Sequence, residues 1–325
     1  MRAEWLRRLT PGWSWTWVDT DPPMATSSKV WQSLAFRAKL GKALTRINDE
    51  VVSGIGGRSF DLLWVDKGVF LRPETVITLR GKARRLIHYT PDTAFHANRS
   101  RDFERTASLY DLLVTTKSFE MDEYIALTGR DKLVLTTQGY DGDVHSPRHG
   151  DDERRHETVF VGLAEPDRIR CISTLLEHGI AVQLGGFGWG RLLRRWHGSP
   201  LLTFAGEQIF GDAYASLLSR SWVGLGLLSR RFPELHTTRT FEIPACGALL
   251  ATPMTSETAS FFTPREAVFF ADYADLAQQL QALLREDSDE RLRAMADAGR
   301  RRVVADGRDY EKILSAILAD PRVAA

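Results

Sequence analysis

The chain reads as an α/β protein of two Rossmann-like domains facing across a cleft, and three observations predict it. Short apolar runs alternate with stretches of helical periodicity along the chain, and strand–helix–strand repetition of this kind builds a parallel sheet with helices on both faces. The alternation breaks once, at HSPRHGDDERRHE (145–157), which is polar, charged and aperiodic, and then restarts. At 325 residues there is room for two domains of roughly 150 residues each. The expected boundaries are 1–150 for an N-terminal Rossmann-like domain, 151–306 for a C-terminal one, and 307–325 for a final helical segment.

The first half begins with the helical pattern AEWLRRL (3–9), followed by WTWVD (15–19), which reads as a strand. Apolar residues at helical spacing fill 33–52. DLLWVD (61–66) reads as a strand, RPETVITLRG (72–81) as a helix stopped by Gly, and ARRLIHYTPD (83–92) as a strand running into a Pro-containing loop. SLYDLLVTTKS (108–118) passes from a helix end into a strand, MDEYIALTG (121–129) is a helix with a Gly stop, and DKLVLTTQGYD (131–141) is a strand and loop.

After the break, TVFVGLA (158–164) is a strand, DRIRCISTLLEHG (167–179) a helix, and IAVQLGGFG (180–188) a strand with a Gly-rich turn. PLLTFAG (200–206), the helix around 212–221 and the strand WVGLGLL (222–228) follow. RTFEIPACG (239–247) reads as a junction into a helix starting near Pro244, because Pro suits a first helical turn. The strands ALLATP (248–253) and AVFFAD (267–272) come next, and helices over 275–287, 289–306 and 309–320 close the chain.

Composition excludes several classes. A hydrophobic fraction of 43% with 26% charged residues is that of an ordinary globular protein, and a formal charge of +1 offers no field for nucleic acid. The two cysteines, Cys171 and Cys246, have neither CxxC spacing nor histidine neighbours, so no zinc site or disulfide framework is expected. No apolar run approaches the ~20 residues of a membrane helix, and the N-terminus lacks a signal-peptide core. A cytoplasmic location fits these features. Five of the nine tryptophans fall in the first 31 residues. They are read as core beneath an irregular segment, with a sugar-facing or peripheral membrane surface as the alternative.

Several segments could carry chemistry. GGFGWG (185–190) follows a strand, and Gly186 and Gly188 could bring backbone N–H groups to a phosphate or simply make a tight turn. DTD (19–21) and DGD (141–143) each pair two carboxylates, but Asp is common as a turn former, and a metal site is not assigned. In HYTPDTAFH (88–96), His88 and Asp92 sit at the end of a strand, where open α/β sheets bind ligands, so either is a candidate general base. An incidental Pro-Asp turn is the alternative. Arg191, Arg194 and Arg195 read as a solvated helix face.

The densest polar segment is SRRFPELHTTRTFEIPACG (229–247), between two apolar strands. It holds Arg230, Arg231, Glu234, His236, Thr237, Thr238, Arg239 and Glu242. Charged groups between buried strands are costly unless paired or bound to something. Arg offers a bidentate fork to phosphate, hydroxyls add donors, and a carboxylate accepts two hydrogen bonds from a cis-diol such as ribose. The segment therefore suits a ligand bearing a diphosphate and hydroxyls, with an internal Arg–Glu brace as the alternative.

This segment resembles the nucleotide-sugar site of two-domain (GT-B) glycosyltransferases, with Glu242 leading through IPACG into ALLATP. Glu234 and Glu242 match the E-x7-E spacing of family-4 retaining enzymes, which implies that Glu242 holds the donor ribose and that Glu234 lies by the donor sugar. Glu234 departs from that pattern in following Pro233 and lacking a Gly-rich context. RTFEIPACGALLAT, FFTPREAVFFADYADLAQQLQALLRED and RLRAMADAGRRRV look similar to the CgeB-like (spore-maturation-protein) glycosyltransferases, as do DLLWVDKG, LIHYTPD and YDLLVTTK. That resemblance implies a strand and Gly-rich turn before AEWLRRL. Either the first strand is missing, or the coding start lies upstream of Met1. It also implies that the segment after 306 crosses back to the first domain.

The resulting expectation is a glycosyltransferase using a nucleoside-diphosphate sugar donor and a glycan or other hydroxyl acceptor, with no cofactor and no metal. Glu242 would hold the ribose. Arg239, Arg230 and Arg231 would hold the diphosphate, with His236, Thr237, Thr238, Gly186 and Gly188 lining the donor site. Asp92, His88 and Glu234 are the catalytic candidates. A non-catalytic nucleotide-sugar-binding protein and a nucleotide-sugar epimerase are the alternatives.

Overall fold

A computed structural model describes residues 2–21, 41–285 and 288–324. Two compact units emerge, one of residues 1–137 with 314–325 and the other of residues 138–313.

The first unit carries helices α1 (Arg2–Leu9) and α2 (Lys42–Ile55), then strand β1 (Phe60–Asp66), α3 (Pro73–Lys82), β2 (Ala83–Thr90), α4 (Arg101–Thr106), β3 (Leu112–Thr115), α5 (Met121–Thr128) and β4 (Leu133–Leu135). The four strands form a parallel sheet in sequential order. Helix α3 shows why the local sequence folds as it does. Pro73 starts it, Glu74 sits in the first turn, and Arg80 and Lys82 in the last, so its charges complement the helix dipole. It buries Val76 and Leu79 in a core shared with Val51, Leu86, Tyr110 and Leu113.

Two expectations fail here. WTWVD (15–19) is irregular coil, and Trp13, Trp15 and Trp17 are exposed rather than core, Trp17 at 65%. Alternating apolar spacing makes a strand only where another strand supplies hydrogen bonds, and this segment has no strand partner among the described residues. Trp31 and the first part of the helix read over 33–52 lie outside the described residues.

The second unit carries β5 (Arg155–Val161), α6 (Pro166–Glu177), β6 (Val182–Gly185), α7 (Gly190–Arg195), β7 (Leu202–Gly206), α8 (Gly211–Arg220) and β8 (Ser221–Leu225). α9 (Arg239–Ala245), β9 (Leu249–Pro253), α10 (Ser256–Phe261), β10 (Ala267–Phe270), α11 (Tyr273–Leu283) and α12 (Asp289–Ala305) follow. Its six parallel strands run β10-β9-β8-β5-β6-β7. Both faces are buried, as a parallel sheet requires. On β9, Leu249 and Ala251 enter the core with Leu175, Trp222 and Leu276, while Leu250 enters the other with Phe241, Ile243 and Val303. Helices α13 (Tyr310–Leu318) and α14 (Pro321–Ala324) end the chain.

Residues 145–157, read as linker, and the loop of residues 138–144 before them are tied into the second unit. The Tyr140 amide donates to the Arg308 carbonyl at 3.1 Å, and the Tyr310 amide returns a bond to Tyr140 at 2.9 Å. Arg154 lies over the Trp222 ring and donates to the Gly247 carbonyl at 2.6 Å. A polar composition marked the break in periodicity but not which side would hold the segment.

Candidate active site

The strand order of the second unit reverses direction at β5. From there β6 and β7 extend one way and β8, β9 and β10 the other. Open α/β sheets bind ligands outside the carboxyl ends of the strands at such a switch point. The segments leaving β5 and β8 therefore define the site, and a cleft of about 550 Å³ lies among Glu165, Pro166, Asp167, Arg170, Arg230 and Arg231.

Gly186 and Gly188 lie in the turn after β6, against Gly162 and Ala164 of the segment leaving β5. Gly186 has φ 108° and Gly188 φ 92°, a backbone region that side chains rarely adopt. A Cβ on Gly186 would meet the Gly162 carbonyl oxygen at 2.2 Å, so the turns after β5 and β6 touch backbone to backbone.

Two guanidinium groups share one ring beside these turns. Arg168 and Arg239 each place their guanidinium carbon 5.7 Å from the centre of the Phe160 ring. Arg168 is buried, and burial followed by the charge of Arg239 lowers its pKa. The Nε atoms of Arg168 and Arg239 are buried without a hydrogen-bond partner. The counter-charges near Arg168 are Glu165, 3.4 Å from its terminal nitrogen, Glu234 and Asp167. Ser229 donates to Glu165 at 2.9 Å, and its own amide donates to Glu234 at 3.3 Å. Asp167 gathers Tyr273, Arg170 and Arg230. Burial opposes its ionisation, but the hydrogen bonds from Tyr273 and Arg170 and the charge of Arg230 hold its pKa below the usual range. Arg230 and Arg231 are exposed at the cleft rim.

Glu242 lies inside helix α9, one turn after Arg239. This corrects the expected helix start near Pro244. The helix begins at Arg239, and Pro244 falls in its last turn. It is tolerated there because the helix closes at once in a Schellman motif: the Gly247 amide donates to the Pro244 carbonyl at 2.9 Å and the Ala248 amide to Ile243 at 3.2 Å, with Gly247 at φ 85°. The Glu242 side chain is 14% exposed, accepts a bond from the Tyr214 hydroxyl at 3.0 Å, and lies 3.9 Å from His145 Nε2. Thr238 stands at the N-cap of α9, and the buried Thr237 Oγ1 has no hydrogen-bond partner.

His236 is placed differently from expectation. It is buried, with Nδ1 2.5 Å from Glu257 and Nε2 accepting the Gln138 amide at 3.0 Å. Both ring nitrogens are committed within the protein, so His236 braces the loop and has neither nitrogen to give a ligand.

The catalytic candidates of the first unit separate. His88 is buried against Phe103 and Tyr110, with Nε2 2.9 Å from the Lys67 carbonyl. Burial lowers its pKa to about 4. The expectation of His88 as a general base is corrected, because the ring lies in the core where a hydroxyl substrate cannot reach it. Asp92 is half exposed and pairs with Lys67 Nζ at 2.8 Å. Lys67 itself has φ 65°, the one non-glycine residue with positive φ among those described.

DTD and DGD are turns. The Asp21 amide donates to the Asp19 carboxylate at 2.9 Å, and the Asp143 amide to that of Asp141 at 3.1 Å. Among the described residues, no three His, Cys, Asp or Glu side chains cluster as metal ligands would, and no helix is long and apolar enough to cross a membrane.

Arg168, Glu165, Asp167, Tyr214 and His145 were not singled out from sequence. Arg168 sits in a helix of ordinary periodicity, and Tyr214 and His145 join Glu242 from positions distant along the chain.

Comparison with known proteins fits this architecture. Residues 168–319 match the family described as Glycosyl transferase-like. Sucrose-phosphate synthase from Thermosynechococcus elongatus superposes with a TM-score of 0.63 at 15% identity, covering 87% of this chain and 78% of that one. Anabaena HepE, solved in complex with UDP and glucose, gives 0.60 at 14% identity over 88% and 82% of the chains. The α,α-trehalose 6-phosphate synthase from Burkholderia multivorans gives 0.60 at 14% over 94% and 83%. No curated protein sequence matches the chain. Fold and family match together define the class: the protein is a glycosyltransferase, with the two parallel sheets of the GT-B fold. Its glycosyl transferase-like domain occupies most of the second unit.

Proposed function

We propose that the protein is a CgeB-like enzyme that transfers a sugar from a nucleoside-diphosphate donor to the hydroxyl of a glycan or other acceptor, without a metal, in the cytoplasm. The observation that carries this reading is that Arg168 and Arg239 share the Phe160 ring, while Glu242 follows Arg239 by one turn of the same helix, on the segments that follow β5 and β8. A pair of guanidiniums, with a carboxylate one helical turn beyond one of them, matches a ligand that ends in a diphosphate on one side and a ribose diol on the other. UDP bound to Anabaena HepE supports the donor class.

In the reaction, the bond from the anomeric carbon to the diphosphate oxygen breaks, and its electron pair leaves with the diphosphate. A bond forms between that carbon and the acceptor oxygen. Arg239, with Arg168 behind it, stabilises the departing charge, as pre-oriented donors do where charge develops. Arg230 and Arg231 at the rim add positive charge. The acceptor's proton passes to a general base in an inverting route, or to the departing diphosphate in a retaining one.

Incubation with UDP-, GDP- and ADP-sugars should release free nucleotide only when an acceptor is present. Epimerised donor without acceptor would identify an epimerase, and nucleotide binding without turnover in any acceptor mixture would identify a binding protein.

A further inference from the structure

We propose that Tyr214 and His145 are positioning residues that hold the Glu242 carboxylate in the orientation a ribose diol requires. The inference rests on the reading that Glu242 receives the donor ribose.

A glutamate side chain has three rotatable bonds, so a carboxylate that must accept two hydroxyls at once gains from being fixed beforehand. One oxygen is fixed directly, since the Tyr214 hydroxyl donates to Oε2 at 3.0 Å. Burial, then the charge of Glu242, push the Tyr214 pKa well up, so its proton stays in place and the group acts as a donor. The other oxygen, Oε1, faces His145 Nε2 at 3.9 Å, too far for a hydrogen bond. The Asp141 amide donates to His145 Nδ1 at 3.0 Å, which places the ring proton on Nε2, toward Glu242. Oε1 is therefore oriented by an N–H dipole that does not consume its lone pairs. The His145 ring stands edge-on to Tyr214, with centroids 5.8 Å apart and planes at 90°.

The two side chains share a scaffold. Tyr214 lies on α8, and the same helix presents Ser219, whose Oγ accepts the Arg148 and His149 amides at 2.8 and 3.0 Å. His149 Nε2 lies 2.8 Å from Ser216 Oγ on that helix. The loop carrying His145 and the helix carrying Tyr214 are thus stapled together, and both face Glu242.

The test is calorimetric titration of the full chain with UDP, GDP, ADP and CDP, each beside its 2′-deoxy counterpart. The wild type should prefer the ribose form. Tyr214→Phe should lower that preference roughly tenfold, about the loss of one hydrogen bond to a charged group, while the 2′-deoxy affinity moves little. An unchanged ribo-to-deoxy ratio in a folded Tyr214→Phe protein overturns the positioning role. If that variant does not fold, His145→Gln carries the same expectation and the same refutation. Glu242→Gln separates the two levels. If it keeps the wild-type ratio, or if no nucleotide binds the wild type, the ribose reading fails and the positioning role with it. If it loses the preference while both positioning variants keep it, only the positioning role fails.

Discussion

Gly186 passes Gly162 so closely that a Cβ on Gly186 would stand 2.2 Å from the Gly162 carbonyl oxygen, with Gly186 already at φ 108°. The contact is between backbones, so no side chain can rotate away to relieve it. Gly186→Ala should therefore cost at least about 2 kcal/mol, combining strained φ with overpacking. Gly198 is the control, having φ 77° but open space around it. Thermal unfolding should show a larger drop for Gly186→Ala than for Gly198→Ala, and equal drops would refute the backbone contact.

Arg239 should distinguish phosphate from nucleoside. Its buried Nε and its place beside Arg168 fit a group that meets a diphosphate. Arg239→Ala is expected to weaken binding of a nucleoside diphosphate by roughly 10- to 100-fold, the range for a charge-assisted hydrogen bond. The corresponding nucleoside should bind nearly as before. Equal losses for both, measured by calorimetry, would assign Arg239 a purely structural role.

His88 sets an acid limit on stability. Its folded pKa is lowered from 6.5 to about 4 by burial. The unfolded chain takes up a proton below pH 6.5 while the folded one does not, so the stabilisation is present above pH 6.5 and is lost as pH falls toward 4. Between pH 7 and pH 5 this amounts to about 2 kcal/mol. Denaturant unfolding at the two pH values should show a smaller decline for His88→Phe than for the wild type. An identical decline would show that the ring is accessible to protons in the folded state.

Glu120 holds the loop that carries Asp92. Its fully buried carboxylate accepts the Ala94 and Phe95 amides at 2.8 and 3.0 Å and lies 2.9 Å from His96 Nδ1. Glu120→Ala leaves those amides unpaired in the interior and should cost about 2–3 kcal/mol. Hydrogen exchange should accelerate at Ala94 and Phe95 before the rest of the unit. Unchanged protection there would show that the carboxylate is not what orders the loop.

Much of the fold was legible because it rests on local periodicity. The helix read over 72–81 is present as Pro73–Lys82, running through Gly81 rather than stopping there, and strand β9 follows its Gly stop as the apolar run 248–253 suggested. WTWVD misled because alternation states a preference that only a hydrogen-bonded neighbour can realise. RTFEIPACG misled by about one turn, because Pro is acceptable both at a helix start and in a last turn that closes immediately.

By itself the sequence determined the alternation of strands and helices, the concentration of charge at 229–247, and the placing of Arg239 three residues before Glu242. Only the tertiary structure decided which polar residues are available. It buried His88 in an aromatic core and committed both nitrogens of His236. It also brought Arg168 beside Arg239 over Phe160, and Tyr214 and His145 onto Glu242. The physical reason is that periodicity along a chain fixes which face a residue takes, whereas desolvation and partner choice depend on segments distant in sequence that pack against that face.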